Sequence, residues 1–252
     1  MVLPLGDSER TRIVPVVTYL LIAMNVAVYL LQLQQGEAFT TAFAATPFEI
    51  THGEDLGQPE VIEVQGPAGR VQQAIPHAPA PFPVWVTLLT AMFLHGSPLH
   101  LAGNLLYLWI FGDNVEEVLG ALRYLVVYLA AGLVGTLAQI AANPESHIPT
   151  IGASGAIAGI MGAYVVWFPH HRVRVLIFRF ITEMPALLVI GAWIGLQLVL
   201  GFNAFGRVGR VGGVAYLAHV GGAATGLFAA FLFAHRAHAH GLRVVDESAP
   251  DP

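Results

Sequence analysis

Four polar residues that lie in or at the start of apolar stretches of the chain have types and a spacing that could do chemistry. Of the five serines, only Ser154 falls within an apolar stretch, and of the eleven histidines, only His219 lies inside a long apolar segment. His100 and Asn104 begin another such segment, and their spacing of four residues places both on one face of a helix. Because hydrocarbon penalises polar groups, polar residues inside such segments are candidates for function.

The chemistry available to this set is nucleophilic attack by a serine. A serine hydroxyl reacts weakly until a base takes its proton, which a neutral imidazole within hydrogen-bond reach does near pH 7. We therefore predict a catalytic dyad of Ser154 and His219. The resulting oxyanion needs donors, which backbone N–H groups at a helix N-terminus and the side chains of His100 and Asn104 supply. In the competing interpretation, Ser154 only bonds its own or a neighbouring helix, as serines in membrane helices commonly do.

The composition indicates that membrane helices hold these residues. Of 252 residues, 56% are hydrophobic and 11% are charged, with a mean hydropathy of +0.66, whereas soluble domains carry about 25% charge. A soluble enzyme and a single-anchor protein are therefore excluded. The absence of cysteine excludes disulfides, thiolate zinc sites and a cysteine nucleophile. All 11 basic residues are arginines, the net charge is -5, and no basic stripe is present, so nucleic acid is not expected as a partner.

Six apolar stretches predict six membrane-spanning helices at about 20 residues each. We expect an all-α polytopic membrane protein, with residues 1–252 forming a single membrane domain. The predicted spans are about 14–33, 98–113, 122–142, 151–168, 185–202 and 213–234. A further apolar run, Val84–Leu94, is separated from the second span by a Gly-Ser-Pro break and is predicted to be a partly inserted loop element. The first stretch could instead be a signal peptide, although its apolar core is longer than the usual 7–15 residues.

The arginines predict which way the helices run, because cytoplasmic loops collect basic residues. With the N-terminus inside, eight of the eleven arginines lie inside. Both termini are therefore predicted to be cytoplasmic, including the tail 235–252. The long connection 35–83 then faces outward and carries six acidic residues with many prolines. A loop of this length is usually either functional or disordered, and the sequence leaves both open.

This topology places the candidate residues at one depth. Spans two, four and six all enter from the external face, and each carries one of the polar clusters near its start. At about 1.5 Å per residue, Ser154 and His219 lie roughly 10 Å below the outer surface, and His100 and Asn104 bracket that level. The site is therefore predicted to open to the external face.

Glycines next to the candidate residues predict close helix packing. Gly152 and Gly155 flank the serine and suit close backbone approach. The pairs Gly155/Gly159 and Gly222/Gly226 have the small-xxx-small spacing that brings membrane helices together. Such packing would bring Ser154 and His219 within reach of each other.

Two other polar groups have less specific interpretations. Gln139 in the third span either holds a water molecule or bonds a neighbouring helix, and the sequence does not decide between these. His235, His238 and His240 have the look of a metal-binding tract, but in a cytoplasmic tail they are predicted to be solvated. No metal and no cofactor are expected.

Together the motifs resemble those of the rhomboid family of intramembrane serine proteases. The shared pattern is H-x-x-x-N in the second span, G-x-S-G opening the fourth and A-H-x-x-G-x-x-x-G in the sixth. Its members in this chain are His100, Asn104, Gly152, Ser154, Gly155, Ala218, His219, Gly222 and Gly226. The resemblance covers about residues 84–234. A V-E-x-x-x-G turn after the second span, from Val115 to Gly120, also looks like the family's.

The resemblance implies a six-transmembrane-helix rhomboid-like core with a water-filled cavity open to the outside. It implies that Ser154 is the nucleophile and His219 its base. It further implies that His100, Asn104 and the Ser154 backbone N–H stabilise the oxyanion.

Two positions depart from the family pattern. Many members carry an aromatic residue one turn after the serine, which stacks on the catalytic histidine, and here that position is Ala158. Many members also have Trp-Arg before the second span, where this chain has Val86-Thr87. Neither change removes a reacting group.

The predicted function is that of an intramembrane serine endopeptidase in the cell membrane, with a bacterial inner membrane expected. Its partners would be the lipid bilayer and membrane-protein substrates with helix-destabilised transmembrane segments, which approach near the fifth span. The alternative is a catalytically inactive rhomboid-like protein that binds client transmembrane helices. A small transporter is less consistent, because internal symmetry and broken helices at mid-depth are absent from the sequence.

Overall fold

The computed structural model describes residues 2–8, 11–66, 69–204 and 214–242. Most of these residues are helical. The helices are α1 Val16–Gln35, α2 Glu37–Ala42, α3 Pro47–His52, α4 Thr87–Thr90, α5 Pro98–Leu119, α6 Ala121–Ala142, α7 Ser154–Trp167, α8 Ala186–Ala204, α9 Tyr216–Leu232 and α10 Ala234–Ala239. The strands are β1 Val2–Asp7, β2 Glu60–Gly66, β3 Gly69–Ile75, β4 Arg172–Ile177 and β5 Phe180–Pro185.

The strands correct the expectation of an all-α protein. β1 pairs with β4 and β4 pairs with β5, all antiparallel, and β2 and β3 form a separate hairpin. In β4, Val173 and Val175 are fully buried while Arg172 and Arg174 are exposed. This period-two alternation is the signature of a strand with one buried face. Hydropathy over helix-length windows averages the alternation away, so this segment simply falls between the predicted fourth and fifth spans.

Six longer helices, α1 and α5 to α9, each overlap one predicted span. α5 continues to Leu119, beyond the predicted end of the second span, because Val115, Val118 and Leu119 are buried against the other helices. The residue that follows the helix is Gly120, whose φ of +75° is a conformation that favours glycine and ends the helix. Part of the topology prediction lies outside the described residues, namely Arg10, Arg207, Arg210, residue 213 and residues 243–252.

By length and composition alone, two helices in the described ranges suffice to cross a membrane, α1 and α6. A third candidate is the pair Val84–Phe93 and Pro98–Leu119, whose members are bent by 77° at the break between them. The apolar helices Ser154–Trp167, Ala186–Gly201 and Tyr216–Leu232 fall below the length required.

α7 is the central helix, and every residue from Gly155 to Trp167 is buried. At about 1.5 Å per residue, its 14 residues span roughly 21 Å, whereas the 22 residues of α6 span roughly 33 Å. The Trp167 indole donates to the Ala230 carbonyl near the end of α9. The end of α7 therefore lies level with the end of α9. A Cβ on Gly132 of α6 would lie 3.3 Å from Ala156, and α6 continues from Gly132 to Ala142, so α6 extends well beyond the level at which α7 begins.

The segment before α5 is hydrogen-bonded to the loop that leads into α7. It consists of two short 3-10 turns around α4, and the Gly152 N–H donates to the Ala91 carbonyl at 2.9 Å. α5 then begins with an N-cap, because the Ser97 hydroxyl accepts from the His100 N–H at 3.1 Å and Pro98 occupies the first turn. This cap places His100 in the first turn of α5.

The connection 35–83 is tied to the loop that precedes α7. Ala45 and Thr150 form an antiparallel bridge with hydrogen bonds of 3.1 and 2.8 Å. The Phe48 N–H donates to the Ser146 carbonyl, and His147 forms a short hydrogen bond with Glu60. These contacts fix the loop that leads to Ser154 only four residues after the bridge.

At the opposite end of the helices, Glu116 anchors the start of α1. Its carboxylate accepts from the N–H groups of Val17 and Thr18 and from the Thr18 hydroxyl, at 2.7 to 2.9 Å. A carboxylate at a helix N-terminus satisfies free N–H groups and interacts favourably with the helix dipole.

Candidate active site

Ser154 is the first residue of α7 and is partly exposed. Gly152, two residues earlier, has a φ of +130°, which strains any residue with a side chain. The glycine therefore allows the chain to turn sharply into α7. The first N–H groups of a helix have no partner within the helix, so the backbone beside Ser154 offers donors to an anion.

His219 lies on α9 and contacts Ser154 directly. The two atoms His219 Nε2 and Ser154 Oγ are 2.7 Å apart, within the range of a good hydrogen bond. The imidazole is buried, with 6% of the residue exposed. The two residues singled out in the sequence for a nucleophile and its base thus lie in hydrogen-bond contact, although they are 65 positions apart.

The other edge of the His219 ring contacts α8. His219 Nδ1 lies 2.8 Å from Gln197 Oε1, and the Trp193 ring packs against the imidazole with centroids 5.3 Å apart and planes at 33°. Because an amide oxygen only accepts, this contact favours the tautomer that carries the proton on Nδ1 and leaves Nε2 to accept from Ser154. Sequence reasoning missed both α8 residues. The available signal was Gln197 itself, a polar residue within an apolar helix.

Trp193 also bears on the departure at Ala158. Ala158 is fully buried in α7, and the aromatic ring against His219 comes from α8 instead. The imidazole therefore has an aromatic neighbour, contributed by a different helix from the one the family pattern uses.

His100 borders the same space as Ser154. A Cβ placed on Gly152 would lie 3.1 Å from His100 Nε2 and 3.7 Å from Ser154 Oγ, so the missing side chain leaves room where the two meet. His100 Nδ1 accepts from the Gly96 N–H at 3.4 Å. In a neutral imidazole the proton then resides on Nε2. His100 thus presents a donor toward the space beside the serine.

Asn104 lies one turn further along α5 and is 8% exposed. Within the described residues its side-chain Nδ2 is buried and has no hydrogen-bond partner. An unpaired buried donor costs about 1–3 kcal/mol, which a bound anion would offset. Neither Asn104 nor His100 makes a hydrogen bond to Ser154 in the described part of the chain.

The glycine pairs lie where α7 and α9 touch backbone to backbone. A Cβ on Gly222 would collide with the Gly155 carbonyl, and a Cβ on Gly226 would collide with the Gly159 carbonyl. Any larger residue would push the helices apart. This close approach holds the helix of His219 against the helix of Ser154.

One further hydrogen bond and a small cavity lie near the site. The Gln139 side chain accepts from the Leu217 N–H at the start of α9, at 3.2 Å, so it bonds a neighbouring helix. A small cavity beside Ser154, with room for about one water molecule, is lined by residues that include Ala91, Gly132 and Thr136.

Comparison with known proteins identifies what this arrangement is similar to. The profile described as Rhomboid domain matches residues 83–236. Rhomboid protein 1, mitochondrial, of Saccharomyces cerevisiae is 30% identical over 146 residues, which are 56% of this chain and 40% of that protein.

Two bacterial proteins are also similar. Rhomboid protease GluP of Bacillus subtilis is 47% identical over 79 residues, 31% of this chain and 15% of that protein. Putative rhomboid protease YdcA of the same species is 29% identical over 127 residues, 50% of this chain and 63% of that protein. The matched region therefore spans less than two thirds of each relative's own length.

Proposed function

Because the chain belongs to the rhomboid family, we propose that it is an intramembrane serine endopeptidase that cleaves transmembrane segments of membrane proteins. The observation that carries the proposal is the 2.7 Å contact between His219 Nε2 and Ser154 Oγ. Named rhomboid proteases among the similar proteins support the same activity.

In the proposed reaction, Ser154 Oγ attacks the carbonyl carbon of a peptide bond while its proton passes to His219 Nε2. The imidazole is suited to this step because its Nδ1 already donates to Gln197, which leaves the Nε2 lone pair facing the hydroxyl. A base at hydrogen-bond distance contributes about 10²–10⁴-fold to such reactions.

The tetrahedral oxyanion would be bound by donors on two helices. The N–H groups at the start of α7 come from one side, and His100 Nε2 and Asn104 Nδ2 come from α5. The unpaired state of Asn104 Nδ2 supports this role, because its donor capacity is not used elsewhere in the described residues. A donor of this kind is typically worth about 2.7–4 kcal/mol of transition-state stabilisation.

Collapse of the intermediate breaks the C–N bond, and the imidazolium returns its proton to the leaving amine. A water molecule, deprotonated in turn by His219, then hydrolyses the acyl-enzyme on Ser154. Water reaches the site because α7 begins below the ends of its neighbours. The same hydration removes the cost of several kcal/mol for exposing unwound substrate backbone in lipid.

We place substrate entry at α8, which borders the site through Gln197 and Trp193. Its outer face presents large apolar side chains such as Leu188 and Leu196, each more than half exposed, as expected of a lipid-facing surface. Segments that unwind easily at small or helix-breaking residues would be preferred. The proposed six-span topology, with both termini cytoplasmic and the site opening outward, rests on the apolar pattern and the arginine distribution.

The test is cleavage of a fluorogenic transmembrane peptide by purified protein in detergent micelles. The wild type should cleave the peptide, and Ser154→Ala and His219→Ala should not, while the controls Ser146→Ala and His52→Ala, which lie outside the candidate site, keep wild-type rates. Retained cleavage by Ser154→Ala would overturn the proposal. A folded wild type that binds the peptide without cleaving it would favour the client-binding alternative.

A further inference from the structure

Gln197 is the polar partner on the far side of the candidate base. It lies on α8, is 6% exposed, and its Oε1 is 2.8 Å from His219 Nδ1. Trp193, four residues earlier, occupies the same face of the helix and packs on the same ring. Thus α8 contacts the imidazole twice, once at its edge and once at its face.

The contact decides which nitrogen of His219 carries the proton. A neutral imidazole has one N–H, and the other nitrogen accepts. If the proton resided on Nε2, the ring would donate to Ser154 and could not take its proton. An acceptor at Nδ1 stabilises the other tautomer, in which Nε2 is free to act as the base.

An amide performs this task without a buried charge. In serine proteases with a triad, a carboxylate at the same nitrogen fixes the tautomer and stabilises the imidazolium. A carboxylate within an apolar bundle would cost several kcal/mol in desolvation. A glutamine accepts the same hydrogen bond at lower cost, because its oxygen is neutral.

We infer that Gln197 is a positioning residue that holds His219 in the tautomer with the proton on Nδ1 and that Trp193 restrains the plane of the ring. The inference rests on the proposed function, since it assigns a task within the same site. It gives α8 a second role beside that of bordering substrate entry.

The first test compares Gln197→Leu with Gln197→Glu in the peptide-cleavage assay. Leucine has a similar volume and no acceptor, so the Nδ1–H is left unpaired and the unproductive tautomer competes. We expect kcat to fall about 10- to 100-fold, with KM within about twofold of wild type. Glutamate restores an accepting oxygen and should return kcat to within about threefold of wild type.

Leu122→Ala is the control, because Leu122 lies in the first turn of α6, at the opposite end of the helices from the site, and is 75% exposed. It should keep wild-type kinetics. The control and Gln197→Leu should unfold at temperatures close to wild type, whereas Gln197→Glu should unfold at a lower temperature because it buries a carboxylate, so kcat is compared for the folded protein of each variant. A Gln197→Leu protein with wild-type kcat would overturn the inference while leaving the proposed function intact. A Gln197→Glu protein as slow as Gln197→Leu would also overturn it, because an accepting oxygen would then be insufficient.

The second test reads the tautomer without using activity. Protein labelled with ¹⁵N-histidine is compared with His219→Gln, so that the difference spectrum isolates the two ring nitrogens of His219. The wild type at neutral pH should show the proton on Nδ1, and Gln197→Leu should lose that preference. A wild-type spectrum with the proton on Nε2 would refute the inference whether or not the protein cleaves the peptide.

Discussion

Replacing Gly135 by alanine tests whether helix packing holds the candidate dyad together. The carbonyl oxygen of Ala218, the residue before His219, is enclosed between two glycines of neighbouring helices. A Cβ on Gly135 of α6 would lie 2.5 Å from this oxygen, and a Cβ on Gly155 of α7 would lie 3.3 Å from it. The start of α9 is therefore pressed from both sides.

The size of the effect follows from these distances. Ordinary contact begins near 3.4 Å, so the new methyl group displaces the Ala218 backbone by about 1 Å. The neighbouring His219 shares this shift and loses its 2.7 Å contact with Ser154. A misplacement of about 1 Å commonly costs about 10²-fold in rate. Overpacking itself costs about 1–3 kcal/mol of unfolding free energy.

Two glycine variants separate displacement of the site from general destabilisation. Gly112 lies in the second half of α5, away from His100 and Asn104. A Cβ on Gly112 would lie 2.7 Å from the hydroxyl of Tyr124 on α6, so Gly112→Ala strains the helix packing away from the site. At Gly195 a Cβ meets no atom within 4 Å. The assay measures kcat on the transmembrane peptide together with the unfolding temperature of each variant.

We expect Gly135→Ala to lose about 100-fold in kcat, Gly112→Ala to lose stability with little loss of kcat, and Gly195→Ala to resemble wild type. If Gly135→Ala and Gly112→Ala lost kcat equally, or if Gly135→Ala cleaved at the wild-type rate, the packing argument would be refuted.

Three further predictions concern other parts of the structure. Asn104→Ala should lower kcat about 10²–10³-fold with KM nearly unchanged, and an equal rise in KM would instead indicate a role in substrate binding. Glu116→Gln removes a carboxylate that accepts three hydrogen bonds at the start of α1, so the free energy of unfolding should fall by about 1–3 kcal/mol, while kcat of the folded protein stays at the wild-type value. In the connection 35–83, burial raises the pKa of the Glu49 carboxyl, so the folded chain binds this proton more tightly than the unfolded chain, and local stability is lost as pH rises through the raised pKa. Hydrogen exchange of α3 should therefore show less protection at pH 8 than at pH 5 in the wild type, and Glu49→Gln, which retains the oxygen that accepts from Leu56, should lose this dependence.

The candidate site could be predicted in part because its polar residues are rare in their surroundings. Ser154 and His219 are conspicuous within apolar stretches, and one topology places them at the same depth. The spacing of His100 and Asn104 is a local helical property and is visible without a structure.

The contribution of α8 could not be predicted in the same way. No spacing rule links Gln197 to His219, because the two lie on different helices whose relative rotation depends on packing. The family pattern predicts the aromatic partner one turn after Ser154, at the position of Ala158, whereas in the structure the ring against His219 is that of Trp193. A contact between helices can be preserved in space while its source in the chain changes.

The small sheet was missed for a related reason. β1 and β4 are about 170 residues apart in sequence, and their pairing depends on the fold of everything between them. The alternation in β4 extends over only six residues, whereas the hydropathy of a membrane span is an average over about 20 residues. The sequence of the connection 35–83 does not decide between function and disorder, because its bridge from Ala45 to Thr150 is likewise a long-range contact.

The most direct measurement is identification of the residue that a fluorophosphonate modifies in the folded protein. The probe reacts with an activated serine and needs no knowledge of the substrate, and mass spectrometry of the digested adduct locates the modified side chain. The dyad predicts one adduct on Ser154 in the wild type, none in Ser154→Ala, and a rate at least 100-fold lower in His219→Ala. Modification of a different serine, or an undiminished rate on Ser154 without His219, would contradict it.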